Sequence, residues 1–163
     1  MSDSKNLIGY AGVYEFVDDA QDDFGIIKEA HRKSWIGAYD AALFMKSAEG
    51  KVKVLNIDAT ERATGAKAGA IVGAVLGVIF PPSILLGATV GAACGAAAGN
   101  LAKGFGKGDI KDFGAGLNPG EAGILLIADA TYDAGAEKLL KRAKRYAKHA
   151  IDADAKDLKA ALG

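Results

Sequence analysis

The hydrophobic pattern along this chain changes period several times, and each change marks an element. Leu7 to Phe16 is rich in strand formers (Ile8, Tyr10, Val13, Tyr14, Phe16), which predicts a first strand despite Gly9 and Gly12. Asp18 and Asp19 then offer an N-cap, and Ala20, Phe24, Ile27, Ala30 and His31 recur at helical spacing, so a helix is expected to about Trp35. Tyr39 to Lys46 is apolar and strand-like. Ser47-Ala48-Glu49-Gly50 reads as a turn, and Val52, Val54 and Ile57 among Lys51, Lys53 and Asn56 complete a hairpin. Further on, Ile110 to Gly116 suits one short helix and Asn118-Pro119-Gly120 a turn. Ala122 to Ala128 is an apolar run of strand length that suits a central strand. From Thr131 to His149 the spacing of Leu139, Leu140, Ala143, Tyr146 and Ala147 predicts a long amphipathic helix, with Ala150 and Ile151 continuing its apolar side.

Between the hairpin and the second half lies a different pattern. Glycine recurs every fourth residue at Gly65, Gly69, Gly73 and Gly77, and again at Gly87, Gly91, Gly95 and Gly99, with Pro81-Pro82-Ser83 between the runs. On a helix, residues four apart stack above one another, so each run would form a ridge without side chains that another backbone can approach closely. Glycine costs about 1 kcal/mol per helical position relative to alanine, so such helices need close packing to persist. The other sides carry Ile71, Val75, Leu76, Val78, Ile79, Ile84, Leu85, Leu86 and Val90, which also need cover. No charge falls between Lys67 and Lys103. Each arm has about 16 uncharged residues, roughly 24 Å of helix. A bilayer core of about 30 Å is reached only by counting the flanking residues, with lysines snorkelling.

Without the glycine segment, the order is strand, helix, strand, strand, helix, strand. The expectation is an α+β fold, a ferredoxin-like βαββαβ sandwich. It occupies residues 5–60 and 109–130. Residues 61–108 form an inserted glycine-zipper helical hairpin between the third strand and the second helix, and residues 131–163 form a basic amphipathic C-terminal helix and tail. The opening strand, the hairpin ending Gly50-Lys51-Val52-Lys53-Val54, the block from Gly65 to Gly99 and Leu117-Asn118-Pro119-Gly120 together resemble a bacterial family known as domain of unknown function 1269. That resemblance implies a membrane setting and no particular chemistry.

Composition removes several function classes. Formal net charge is zero, so no overall field recruits nucleic acid. The single cysteine, Cys94, allows no internal disulfide and has no histidine near it in sequence. The start of the chain has no basic stretch followed by an apolar one, so no secretory signal is read. Gly9-Tyr10-Ala11-Gly12 and Gly104 to Asp109 lack the spacing of a phosphate-binding loop. His31 and His149 stand far apart, and Asp18, Asp19, Asp22 and Asp23 lack the glycine and closing glutamate of a calcium loop. No catalytic residue, cofactor, metal or small-molecule substrate is expected.

The remaining signal is Lys138, Lys141, Arg142, Lys144, Arg145 and Lys148, six cations that suit an anionic membrane surface if they line one helix. The expected function is therefore that of a non-enzymatic protein that self-associates through its glycines, in or on a membrane, with its folded domain in the cytoplasm. A soluble, cytoplasmic shell or ring with the hairpin buried in the assembly, or a small-molecule-sensing domain, would fit the same pattern.

Overall fold

The computed structural model describes residues 6–37, 39–59, 85–86, 116–129 and 137–154. These form one sheet with one α-helix. Strand β1 (Asn6–Tyr14) leads to α1 (Val17–Arg32), then to the hairpin β2 (Tyr39–Lys46) and β3 (Val52–Ala59). A two-residue strand β4 (Leu85–Leu86) follows, then β5 (Ala122–Asp129), a 3-10 turn at Glu137–Leu139 and β6 (Arg145–Asp154). The strand order is β4-β3-β2-β5-β1-β6. Every neighbouring pair is antiparallel except β3 and β4.

This order overturns the ferredoxin-like expectation. In that fold the third strand lies between the first and second. Here β5 takes that place, pairing with β1 from Tyr14↔Ala122 to Leu7↔Asp129 and with β2 from Met45↔Ala122 to Tyr39↔Ala128. The reason is burial. A central strand meets protein on both faces and must be apolar throughout. Residues Ala122 to Ala128 are all buried, whereas β3 carries Lys53, Asn56 and Asp58 and suits the outer side of β2. The apolar run at 122–128 is thus central, as its composition suggests.

Two further expectations fail. The long helix from Thr131 to His149 is not formed: the chain makes a 3-10 turn and then β6, which pairs with β1 from Val13↔Arg145 to Leu7↔Ile151. Leu139 and Leu140 are buried as expected, but in the core under α1, and β1 captures the following residues to satisfy its outer backbone edge. The glycine-zipper helical hairpin is contradicted at Leu85 and Leu86. These residues pair in parallel with Val52 and Lys53 at the sheet edge. Its other residues, including all eight repeat glycines, lie outside the described set, as does the short helix expected from Ile110 to Gly116 apart from Gly116 itself, which lies in a turn.

One face of the sheet packs on α1 through Tyr10, Tyr14, Tyr39, Leu43, Ile124 and Leu126 against Ala20, Phe24, Ile27 and Ala30. The helix begins after Phe16, which makes no side-chain cap. Asp18 and Asp19 sit in its first turn and His31 and Arg32 in its last, where each sign of charge meets the favourable pole of the helix dipole. It ends in a Schellman arrangement: Trp35 N–H donates to the Ala30 carbonyl at 2.8 Å, and Ser34 takes a left-handed φ of 61°.

The opposite face is buried as well. Val13, Ala42, Phe44, Leu125 and Ile127 are each 2% exposed or less. Gly123 makes room there for the Phe44 ring, since a Cβ at Gly123 would lie 2.5 Å from the ring edge. A Gly123→Ala substitution should therefore lower stability by about 1–3 kcal/mol in denaturant titration. Adding Phe44→Leu should recover part of that loss, because it removes the obstructing ring.

Candidate functional site

Two clusters of charged groups built on buried carboxylates lie at one end of the sheet. There β1 finishes, β5 and β6 begin and the β2–β3 turn lies. The first cluster centres on Asp23. In α1 it stands on the core side beside Ala20, Phe24 and Ile27, and it is fully buried. Its carboxylate accepts three bonds. The Tyr14 hydroxyl donates to Oδ2 at 2.9 Å, the Arg142 backbone N–H donates to Oδ2 at 2.8 Å, and the Arg142 guanidinium donates to Oδ1 at 2.7 Å. A buried carboxylate persists only with such compensation. Burial, together with the charge and bond of Asp23, pushes the Tyr14 hydroxyl far above its usual range, so it stays a neutral donor.

The second cluster receives the chain as it returns from the glycine-rich segment. Asn118-Pro119-Gly120-Glu121 turns with Gly120 at φ 87°, a conformation that suits glycine. Gly120 N–H donates to the Lys46 carbonyl at 2.8 Å, and Lys46 N–H donates to the Glu121 carbonyl at 3.0 Å. The nearly buried Glu121 carboxylate accepts from Asn118 N–H at 3.1 Å, from Asn118 Nδ2 at 3.2 Å and from Lys144 Nζ. Lys46 Nζ donates to the Leu117 carbonyl at 3.0 Å, and the Arg145 guanidinium to the Gly116 carbonyl. Residues 116–121 are thus held by cations from β2 and from the start of β6.

At the other end of α1, His31 Nδ1 lies 3.0 Å from the Gly37 carbonyl and its ring meets Tyr39 edge-on at 5.4 Å. The Tyr39 hydroxyl donates to Asp58; burial first, and then that bond and charge, raise its pKa well beyond the usual value.

The predicted cationic run is therefore divided. Arg142, Lys144 and Arg145 hold Asp23, Glu121 and Gly116, while their side chains remain partly exposed. Lys138 and Lys141 are exposed on the turn before β6, and Lys148 stands in β6 at the register position opposite Tyr10. No single helix face carries the six. The acidic group meets the basic run instead of a cation, with Asp19, Asp22 and Asp23 all acting on Arg142. His149 lies in β6 opposite Gly9, far from His31 in the fold, and Cys94 is outside the described residues. Among the described residues, no group of three or more His, Cys, Asp or Glu could hold a metal ion, and no helix is long and apolar enough to cross a membrane. The sequence reading missed Asp23 and Glu121 as structural centres. An acid on the apolar stripe of a helix was the available signal for Asp23.

Among the described residues, fold and site define a mainly antiparallel sheet with one α-helix, and the charged end of the sheet holds the chain at residues 116–121. A family model for a protein of unknown function (DUF1269) matches residues 66–163, and the chain belongs to that family. No curated protein and no solved structure matches it.

Two measurements test the clusters. Asp23→Asn should lower the unfolding free energy by about 2–3 kcal/mol, and combining it with Tyr14→Phe should cost clearly less than the sum of the single losses, because both act on one bond network. Glu121 has a depressed pKa. Burial alone would raise it, but the bonds from Lys144 and Asn118 outweigh burial. A depressed carboxyl contributes stability above its unfolded value near 4.5, and that contribution is lost as pH falls through the folded value. Stability measured from about pH 6 to about pH 3 should fall less steeply for Glu121→Gln than for the unmodified protein.

Proposed function

We propose that this chain is a non-enzymatic self-associating protein in which a rigid sheet domain presents a glycine-rich segment to further copies of itself. The observation that carries this reading is the way the insertion between β3 and β5 is held. Its middle is hydrogen-bonded to the sheet edge at Leu85–Leu86, and its return is gripped by Lys46, Lys144 and Arg145. Charged groups that would be candidates for chemistry are engaged in holding the fold, Asp23 and Glu121 foremost. The segment they position carries bare backbone every fourth residue, at Gly65, Gly69, Gly73, Gly77, Gly87, Gly91, Gly95 and Gly99. Exposed glycine backbone allows close contact between chains, with dispersion and Cα–H···O contacts as the attraction. Association with lipid is part of the same proposal wherever apolar surface of this segment remains uncovered by protein.

The test replaces Gly73 and Gly91 with leucine and measures particle mass by sedimentation, before and after detergent extraction, with circular dichroism to follow the sheet. The expected result is loss of the assembly with the sheet retained. An unchanged particle mass would overturn the proposal. A multimer released only by detergent assigns the assembly to a membrane, and a multimer that is soluble without it assigns the contacts to protein alone.

A further inference from the structure

Among the described residues, two large apolar side chains stand in solvent: Phe16, 61% exposed, and Trp35, 57% exposed. They flank opposite ends of α1. The turn that carries Trp35 is held on every side. Lys33 N–H donates to the Glu29 carbonyl at 3.0 Å, Ser34 N–H to the His31 carbonyl at 3.0 Å and Trp35 N–H to the Ala30 carbonyl at 2.8 Å. Ala30 and Ile36 enter the core, and His31 Nδ1 meets the Gly37 carbonyl. With Ile36 taking the buried place beside it, the indole is left facing water.

Charge separates the two aromatics. Phe16 adjoins Glu15, Asp18 and Asp19. Trp35 follows Lys28, Arg32 and Lys33, which face one carboxylate, Glu29, on the last turns of α1 and its cap. Lys33 Nζ lies 4.9 Å from the centre of the indole ring. Arg32 and Lys33 both pair with Glu29, yet their side chains are 76% and 51% exposed. Ion pairs this exposed bind their cations weakly, so exchange for another anion is easy. Asp58, at the same end of α1, is engaged by the Tyr39 hydroxyl.

We propose that Trp35, with Lys28, Arg32 and Lys33, forms a peripheral contact for an anionic lipid surface. An indole has an apolar body and a polar N–H, and it settles at the boundary between headgroups and acyl chains. Lysine and arginine beside it are drawn to anionic headgroups. A protein partner would call for a wider apolar centre around the anchor, whereas the neighbours of Trp35 along the chain are charged, polar or buried. The approach is by the C-terminal end of α1. The 16 residues of the helix place its acidic first turn about 24 Å away. That exceeds the screening length of about 8 Å at physiological salt, so Asp18 and Asp19 do not oppose the contact. The proposal needs neither the glycine segment nor self-association.

Trp35 is the chain's one tryptophan, so the emission of the full protein reports this site alone. The probes are vesicles of mixed phosphatidylglycerol and phosphatidylcholine, vesicles of phosphatidylcholine only, and anionic vesicles with brominated acyl chains. Anionic vesicles should shift the emission to the blue, and the brominated lipid should quench it. Neutral vesicles should do neither, and high salt should reverse both effects. Lys28→Gln with Lys33→Gln should weaken co-sedimentation with anionic vesicles by about tenfold or more, with the circular dichroism unchanged. The Gly73→Leu, Gly91→Leu variant should keep the full tryptophan response, which separates this contact from the glycine reading. Co-sedimentation with unshifted and unquenched emission would give the lipid contact to another part of the chain and overturn the proposal. So would the absence of vesicle binding. A blue shift with polyglutamate but none with vesicles would assign the surface to an acidic protein instead and overturn it as well.

Discussion

Capture of β5 between β1 and β2 is the constraint from which the rest of this fold follows. Strands β1 and β2 enclose a vacant slot once α1 has carried the chain from one to the other. Both face that slot with unpaired backbone groups until a strand fills it, and buried backbone donors and acceptors do not remain unpaired. The strand that fills it starts more than sixty residues beyond the end of β3. Closing so long a loop carries an entropic penalty that grows only slowly with length, and the double ladder along β5, with seven consecutive buried residues, offsets it. The long insertion is tolerated because its two ends are fixed by the sheet itself.

The two carboxylate clusters lock this arrangement from outside the ladder. Asp23 ties α1 to Tyr14 at the end of β1 and to Arg142 just before β6, linking positions 119 residues apart. Glu121 ties the first residues of the β5 approach to Lys144 on the same stretch. Residues 142–145 therefore serve both clusters, and the course of the chain into β6 is set before the strand begins. β6 then covers the outer edge of β1, which would otherwise be open to pairing with other chains.

Much of the first half was legible in the sequence because its signals were local. Strand formers gave β1, helical spacing gave α1, and a turn between apolar runs gave the hairpin. The apolar run at 122–128 announced a central strand. Its neighbours were not legible, because the choice between β3 and β5 for the slot depends on comparing two distant strands for apolarity on both faces. The second half misled for the same reason. Leu139, Leu140, Ala143 and Tyr146 have helical spacing, yet Arg145 to Ile151 also supports a strand, and the open edge of β1 decides between them. The acidic and basic runs were visible as separate features. Their mutual neutralisation was not, since nothing local joins Asp23 to Arg142.

The positions of the tethers set different conditions on the two glycine runs. The first lies between Ala59, at one end of β3, and Leu85, beside Val52 at the other, so its chain has the length of the sheet to cross. The second lies between Leu86 and Gly116, and both tethers are at the β2–β3 turn end, where Lys53 pairs with Leu86 and Lys46 holds Leu117. Strands three places apart are about 14 Å from one another. The 29 residues from Gly87 to Ala115 therefore begin and finish close together, and no traverse along the sheet is demanded of them.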